Sequence, residues 1–306
     1  MDVAYTMAAI LGTIVAIIIG LVSVQIKTKD ISKSRWFPSP ATQPSKRSYE
    51  LFVACYTPVW ISFFAAIVVF QLYESFDAMT YLKVCGGLAA PLLLQPIVFP
   101  SAGFRSPDAT KPLWKRYALK ANIWIAVYSF IGNYFYTHYF YSVLKAKYTM
   151  PSHRLNNVPV AMYLATHFYF STYHFFSNAM LRKIVTTYES GPARTLLFAT
   201  AVLGFAYFTA FMETLTISSY PYYSFEDRDM AYKVGSCFYG IYFIVSFPAF
   251  FTFDDEIDLQ SPTRRMVSIW DTVVESCGYG MIILILLDLV RISLGITLTM
   301  EVPEDS

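Results

Sequence analysis

Apolar runs of about twenty residues alternate with short polar segments along the whole chain. The runs fall at about 3–25, 50–72, 79–99, 118–144, 159–180, 195–218, 233–253 and 271–294. A helix rises about 1.5 Å per residue, so a run of this length crosses a hydrocarbon core roughly 30 Å thick. Inside a bilayer the backbone must satisfy its own hydrogen bonds, which a helix does within one segment. The pattern therefore predicts an all-α, polytopic membrane protein with about eight transmembrane helices. Pro58, Pro91 and Pro248 lie inside runs, where neighbouring helices can re-satisfy the freed backbone groups.

The polar segments set the orientation. Lys27, Lys29, Lys33, Arg35, Lys46 and Arg47 follow the first run. Arg105, Lys111, Lys115 and Arg116, then Arg182, Lys183 and Arg194, then Arg264 and Arg265 fall on the same side. The other side holds only Lys145, Lys147, Arg154 and Arg228, with Lys83 and Lys233 near run ends. Positive residues stay in the cytosol, so both termini are expected outside it. Met1 and Asp2 lack the basic start of a cleavable signal, and the positive cluster comes after the first run. A retained anchor follows. Residues 1–47 read as an N-terminal transmembrane anchor and cytosolic linker, 48–297 as a seven-helix core, and 298–306 as a short acidic tail. No internal repeat is visible.

Composition agrees with the pattern. Hydrophobic residues make up 56% and charged residues 14%, against about 25% charged in soluble domains. No soluble domain of any size remains once the runs are removed. A net charge of +2 gives no reason to expect nucleic acid as a partner. Cys55, Cys85, Cys237 and Cys277 all lie in apolar runs and read as free, small core residues. Aromatics reach 18%, with 24 Tyr and 26 Phe, more than interfacial anchoring requires.

Ionisable residues inside a span are costly and mark candidate sites. They are His138, His167, His174, Glu213, Asp271, Glu275, Asp288 and Arg291. His167 and His174 are two turns apart on one helix face, and Tyr163 and Asn178 extend that stripe. Tyr134, His138 and Tyr141 form a similar stripe, and Tyr207, Glu213 and Thr214 a looser one. Each histidine can equally be a hydrogen-bonded residue that holds helices together. Asp288 and Arg291, three apart, are placed to pair with each other, and Asp271 and Glu275 fall at the cytosolic end. No HxxxH or HExxH spacing, phosphate-binding glycine loop or serine elbow occurs, so no metal site and no cofactor are expected. His138, His167 and Glu213 fall in the non-cytosolic half, where they could share a pocket.

A carboxyl group in apolar surroundings holds its proton, because desolvation disfavours the anion. Aromatic faces stabilise a nearby cation. An acid in an aromatic enclosure within a bilayer suits a lipid substrate that passes through a carbocation, with no cofactor.

Several blocks then carry a resemblance. They are Lys120-Ala-Asn-Ile-Trp-Ile125, Gly132-Asn-Tyr-Phe-Tyr-Thr-His-Tyr-Phe140, Asn156-Asn-Val-Pro159, Tyr173-His-Phe-Phe-Ser-Asn178, Glu213-Thr214, Pro221-Tyr-Tyr223 and Ile241-Tyr-Phe-Ile-Val-Ser-Phe-Pro248. In that order, over about residues 46–297, they resemble the cycloeucalenol cycloisomerase family of cyclopropyl sterol isomerases. The resemblance implies a multi-pass endoplasmic-reticulum membrane enzyme of sterol biosynthesis, with a sterol substrate and no cofactor. It opens the 9β,19-cyclopropane ring of cycloeucalenol to give obtusifoliol. Glu213 is then expected as the acid and His138 and His167 as its partners or the base. Tyr134, Tyr141, Tyr163, His174, Asn178 and Tyr207 are expected to line the substrate. The first run is additional to the family pattern, Ser219 stands where Asn is expected, and His153 where an aromatic is expected. A sterol Δ8–Δ7 isomerase, or a lipid transporter or receptor with no catalysis, would also use a polar aromatic pocket. The oligomeric state is not legible.

Overall fold

The computed structural model describes residues 3–28, 33–101, 104–218, 220–226, 229, 231–258 and 267–298. The acidic tail from residue 299 onward, Ser219, Arg228, Arg264 and Arg265 lie outside them. The chain is an all-α polytopic membrane protein. Its helices are α1 (Val3–Ser23), α2 (Pro44–Val69), α3 (Ala78–Val98), α4 (Tyr117–Ile131), α5 (Thr137–Val143), α6 (Val160–Thr187), α7 (Pro192–Ser218), α8 (Ser236–Asp258) and α9 (Ile269–Ser293). A π-helical turn, Gly132–Tyr136, joins α4 to α5, and a second, Ala231–Gly235, opens α8. Each apolar run of the sequence falls on one of these helical rods.

Among the described residues, six helices are long and apolar enough to cross a membrane: α1, α2, α3, α7, α8 and α9. The 117–143 and 160–187 rods are not in that set. The first is cut at residue 131 by its π-turn, and the second carries His, Ser, Thr, Asn and Tyr along its whole length. These two rods lie inside the bundle. α6 packs against α2, α3, α4, α7 and α8, and α9 closes the far side against α4 and α8.

Helix ends follow their sequence signals. Pro44 occupies the first turn of α2, where a missing N–H costs nothing. Ser268 and Asp271 form a reciprocal capping box on α9, so Asp271 is a capping residue. Arg291 binds Asp288 at 2.7 Å, the pairing their spacing predicts. The four cysteines are free, but only Cys85 is buried, and Cys55, Cys237 and Cys277 face outward. The core reading thus holds for one of the four.

The first helix is seated on the bundle. Met7, 2% exposed, packs against Tyr207 and Phe211 of α7, and a Cβ on Gly204 would meet Ile14 at 2.6 Å. Glycine there lets the two backbones approach. The segment after α1 is tied down too. Ser34 Oγ lies 2.6 Å from Thr187 Oγ1, and Arg182 Nη1 donates to Trp36 O at 2.7 Å.

Two short antiparallel ribbons cover the end of the bundle where α5 leads to α6 and α7 leads to α8. β1 (Ala146–Tyr148) pairs with β4 (Tyr223–Phe225), with Ala146 opposite Phe225. β2 (Arg154–Leu155) pairs with β3 (Val158–Pro159). The intervening Asn156 and Asn157 have φ of 49° and 62°. A two-residue hairpin turn needs positive φ at both positions, and Asn tolerates it.

Candidate active site

The residues that build the site come from both π-turns, both inner helices and the β1–β4 ribbon. A π-turn inserts one residue into a helix and re-aims the side chains after it, and such turns recur at functional sites. From the first and the helix after it, Asn133, Thr137, Phe140 and Leu144 face one cavity. Thr166 and Phe170 of α6, Glu213 and Thr214 of α7, and Tyr239 and Tyr242 of α8 complete its wall, with Tyr148, Tyr223 and Phe225 of the ribbon closing the end. The cavity is small and partly open to its surroundings.

Glu213 is the one acidic residue on this wall among the described residues, and no histidine shares it. The carboxylate is half-buried, and Oε2 accepts a hydrogen bond from the Tyr239 hydroxyl at 2.7 Å. Tyr173 is a second hydroxyl partner. No cation pairs with it among the described side chains. Around it, Phe140 meets Tyr239 and Tyr242 at centroid distances of 5.3 and 5.7 Å, and Tyr148 meets Tyr223 at 4.7 Å. Asn133 donates to Thr166 Oγ1 at 2.7 Å, giving the wall a polar pair.

The other expected residues lie elsewhere. His138 is buried beside Tyr141 and near Asn156, with no hydrogen bond of good geometry on either ring nitrogen. His167 reaches Asn122 Oδ1 of α4 at 2.9 Å. His174 donates from Nδ1 to Phe170 O at 2.7 Å and lies 3.0 Å from Ser246 Oγ through Nε2. That bond fixes the proton on Nδ1 and leaves Nε2 to accept from the serine. Both histidines join α6 to its neighbours. Asn178 is 1% exposed within the same helix packing.

The expected tyrosines likewise stand off the cavity wall. Tyr134 stacks on Phe130, and its carbonyl accepts Asn156 Nδ2 at 2.6 Å. Tyr141 and Tyr163 donate to Asn157 O and Leu155 O at 3.2 and 3.0 Å. Tyr207 turns away, toward Met7 of α1. The stripe Tyr134–His138–Tyr141 assumes regular helical spacing, and the π-turn at 132–136 breaks it. Asn133, Thr137, Tyr148, Tyr223, Tyr239 and Tyr242 line the wall instead. Of these, Asn133, Thr137, Tyr223 and Tyr242 lie in blocks that carry the resemblance, and Tyr148 and Tyr239 lie in none.

A relative settles the lineage. Over 268 residues the chain is 41% identical to a cycloeucalenol cycloisomerase of Arabidopsis thaliana, covering 86% of this chain and 91% of that protein. The chain belongs to the cycloeucalenol cycloisomerase family. No family model and no solved structure matches it.

Proposed function

We propose that the protein opens the 9β,19-cyclopropane ring of cycloeucalenol to give obtusifoliol in the endoplasmic-reticulum membrane. Residues 48–297 form the catalytic core in this reading, with 1–47 as anchor and linker. The observation that carries it is one carboxyl on the wall of an aromatic cavity, held by tyrosine hydroxyls and, among the described side chains, paired with no cation.

Because Tyr239 donates to Oε2, the acid's own proton sits on Oε1. That proton passes to the C19 methylene, the C9–C19 bond breaks, and C19 becomes a methyl group on C10. Positive charge develops at C9, where the faces of Phe140, Tyr148 and Tyr242 can stabilise it. Loss of the C8 proton then forms the C8–C9 double bond. Both the methylene and the departing hydrogen lie on the β face of the sterol. The Glu213 carboxylate, stabilised by its tyrosine donors, is thus placed to take that proton back and close the cycle. No net proton is consumed. His138 and His167 act on this reading through packing around the wall.

Purified protein incubated with cycloeucalenol in D₂O tests the reaction, with products read by mass spectrometry. Obtusifoliol carrying deuterium in its C19 methyl is expected, since the donor exchanges with solvent. Unchanged cycloeucalenol, with conversion of a Δ8 sterol to its Δ7 isomer, would overturn the assignment.

A further inference from the structure

A second pocket lies at the opposite end of the bundle from Glu213, where α1, α6 and α7 meet. Lys27, Ser34, Lys183, Thr187 and Tyr188 line it, and among the described residues no carboxylate does. Backbone pairing builds it. Lys27 bridges Tyr188, Thr28 N donates to Thr187 O at 2.9 Å, and Glu189 N donates to Ile26 O at 2.9 Å. Lys183 Nζ donates to Ser34 Oγ at 2.8 Å and sits 5.4 Å from the centre of the Trp36 ring. An ammonium has three protons to donate, so Lys183 keeps capacity toward the pocket. Lys27 makes no ion pair among the described residues.

Two lysines beside a helix C-terminus could simply neutralise its carbonyls. That role is already filled. Arg194 donates to Val185 O and Tyr188 O at 3.2 Å each, and Thr28 satisfies Thr187 O. The pocket therefore offers two cations and three hydroxyls to something rich in acceptors. Val24, Ile26 and Leu196 beside it are 63%, 69% and 55% exposed, an apolar flank next to a polar cradle. A free phosphate uses the cradle alone, whereas a phospholipid uses the flank too. We propose that this pocket binds the phosphate of an anionic phospholipid, with its acyl chains along the exposed apolar residues of α1 and α7. The lysine-rich side of the bundle is also the side on which anionic lipids concentrate.

Full-length protein in detergent micelles, given equal amounts of phosphatidylglycerol and phosphatidylcholine, tests this by native mass spectrometry of the retained lipid. The wild type should retain phosphatidylglycerol preferentially. Lys27→Ala should lower the preference about fivefold, and Lys27→Ala with Lys183→Ala should remove most of it, at about fivefold per lysine. Lys27→Ala is the cleaner variant, because Lys183 also holds Ser34. Lys145→Ala with Lys147→Ala removes equal charge at the other end and should leave the preference intact. Equal retention of the two lipids, or the same loss in that control pair, would overturn the proposal. Displacement of the bound lipid by millimolar glycerol 1-phosphate would also overturn it, in favour of a soluble phosphate ligand.

Discussion

Two glutamates inside the bundle, Glu50 and Glu213, have opposite surroundings. Glu50 is 2% exposed and is gripped from two directions by Arg182, at 2.5 and 2.8 Å. Glu213 is half-buried, meets hydroxyls alone among the described side chains, and opens onto a cavity. An ion pair with both carboxylate oxygens bonded is committed to holding α2 against α6. A carboxyl with neutral partners can change protonation without leaving a neighbouring charge uncompensated. Burial of an acid is thus no guide to chemistry, and the charge of its partner is. Asp288 belongs with Glu50, since Arg291 answers it on the same helix.

The largest effect should come from Glu213→Gln. It keeps size and the Tyr239 contact but has no transferable proton. Turnover should fall by roughly 10²–10⁴-fold, as for other general acids, with sterol binding little changed. Glu213→Asp should retain part of the activity. A folded Glu213→Gln protein that turns over normally would erase the contrast between the two carboxylates.

Glu50→Gln should do the reverse. It leaves the Arg182 guanidinium buried without its counter-charge, a change that costs about 3–5 kcal/mol when one partner of a buried pair is removed. Thermal unfolding in detergent should show the loss, and the surviving folded fraction should isomerise at a normal rate. A stable Glu50→Gln protein with depressed kcat would place Glu50 in the chemistry instead.

Tyr239→Phe tests what a neutral partner contributes. Hydrogen bonds to charged groups contribute about 1.5–3 kcal/mol. If Tyr239 stabilises the carboxylate left by proton donation, kcat should drop roughly 10–100-fold with KM nearly constant. A purely structural tyrosine would lower thermal stability and leave kcat alone.

The contrast was half visible in the sequence. Glu213 stood out as a lone acid among Phe211, Met212 and Leu215, and the apolar runs located every helix. Glu50 did not stand out, because its run begins at that residue and its partner is 132 positions away. Arg182 read as a loop residue, whereas α6 continues to Thr187. Long-range pairing leaves no periodic trace. The π-turn at Gly132–Tyr136 was equally silent, since a stripe counted at regular spacing selects Tyr134 and His138 where the structure turns Asn133 and Thr137 to the cavity. Tyr148 and Tyr223 came from loops that looked like connectors and pair as β1 and β4.

A third carboxylate, Asp77, gives the smallest effect and completes the series. It is exposed at the start of α3, where Oδ1 accepts from Thr80 N at 2.7 Å and Thr80 Oγ1 at 2.6 Å. Those two bonds to the charged form, the side-chain hydroxyl first, hold its carboxyl below the ordinary aspartate value. A group depressed in the folded state adds stability that is present above its unfolded value and lost as pH falls through the folded one. Asn caps a helix about as well as Asp but does not titrate. Asp77→Asn should therefore melt much like the wild type once the pH has fallen below the depressed folded-state value of Asp77, where both caps are uncharged. Its melting temperature should fall slightly below that of the wild type at neutral pH. The quantity to read is the difference between the two melting curves from pH 7 down through the folded-state value of Asp77, because every other carboxylate titrates identically in both proteins. A difference that stays constant over that range would show that the Asp77 charge adds nothing to the cap, leaving protonation-dependent behaviour to groups inside the bundle.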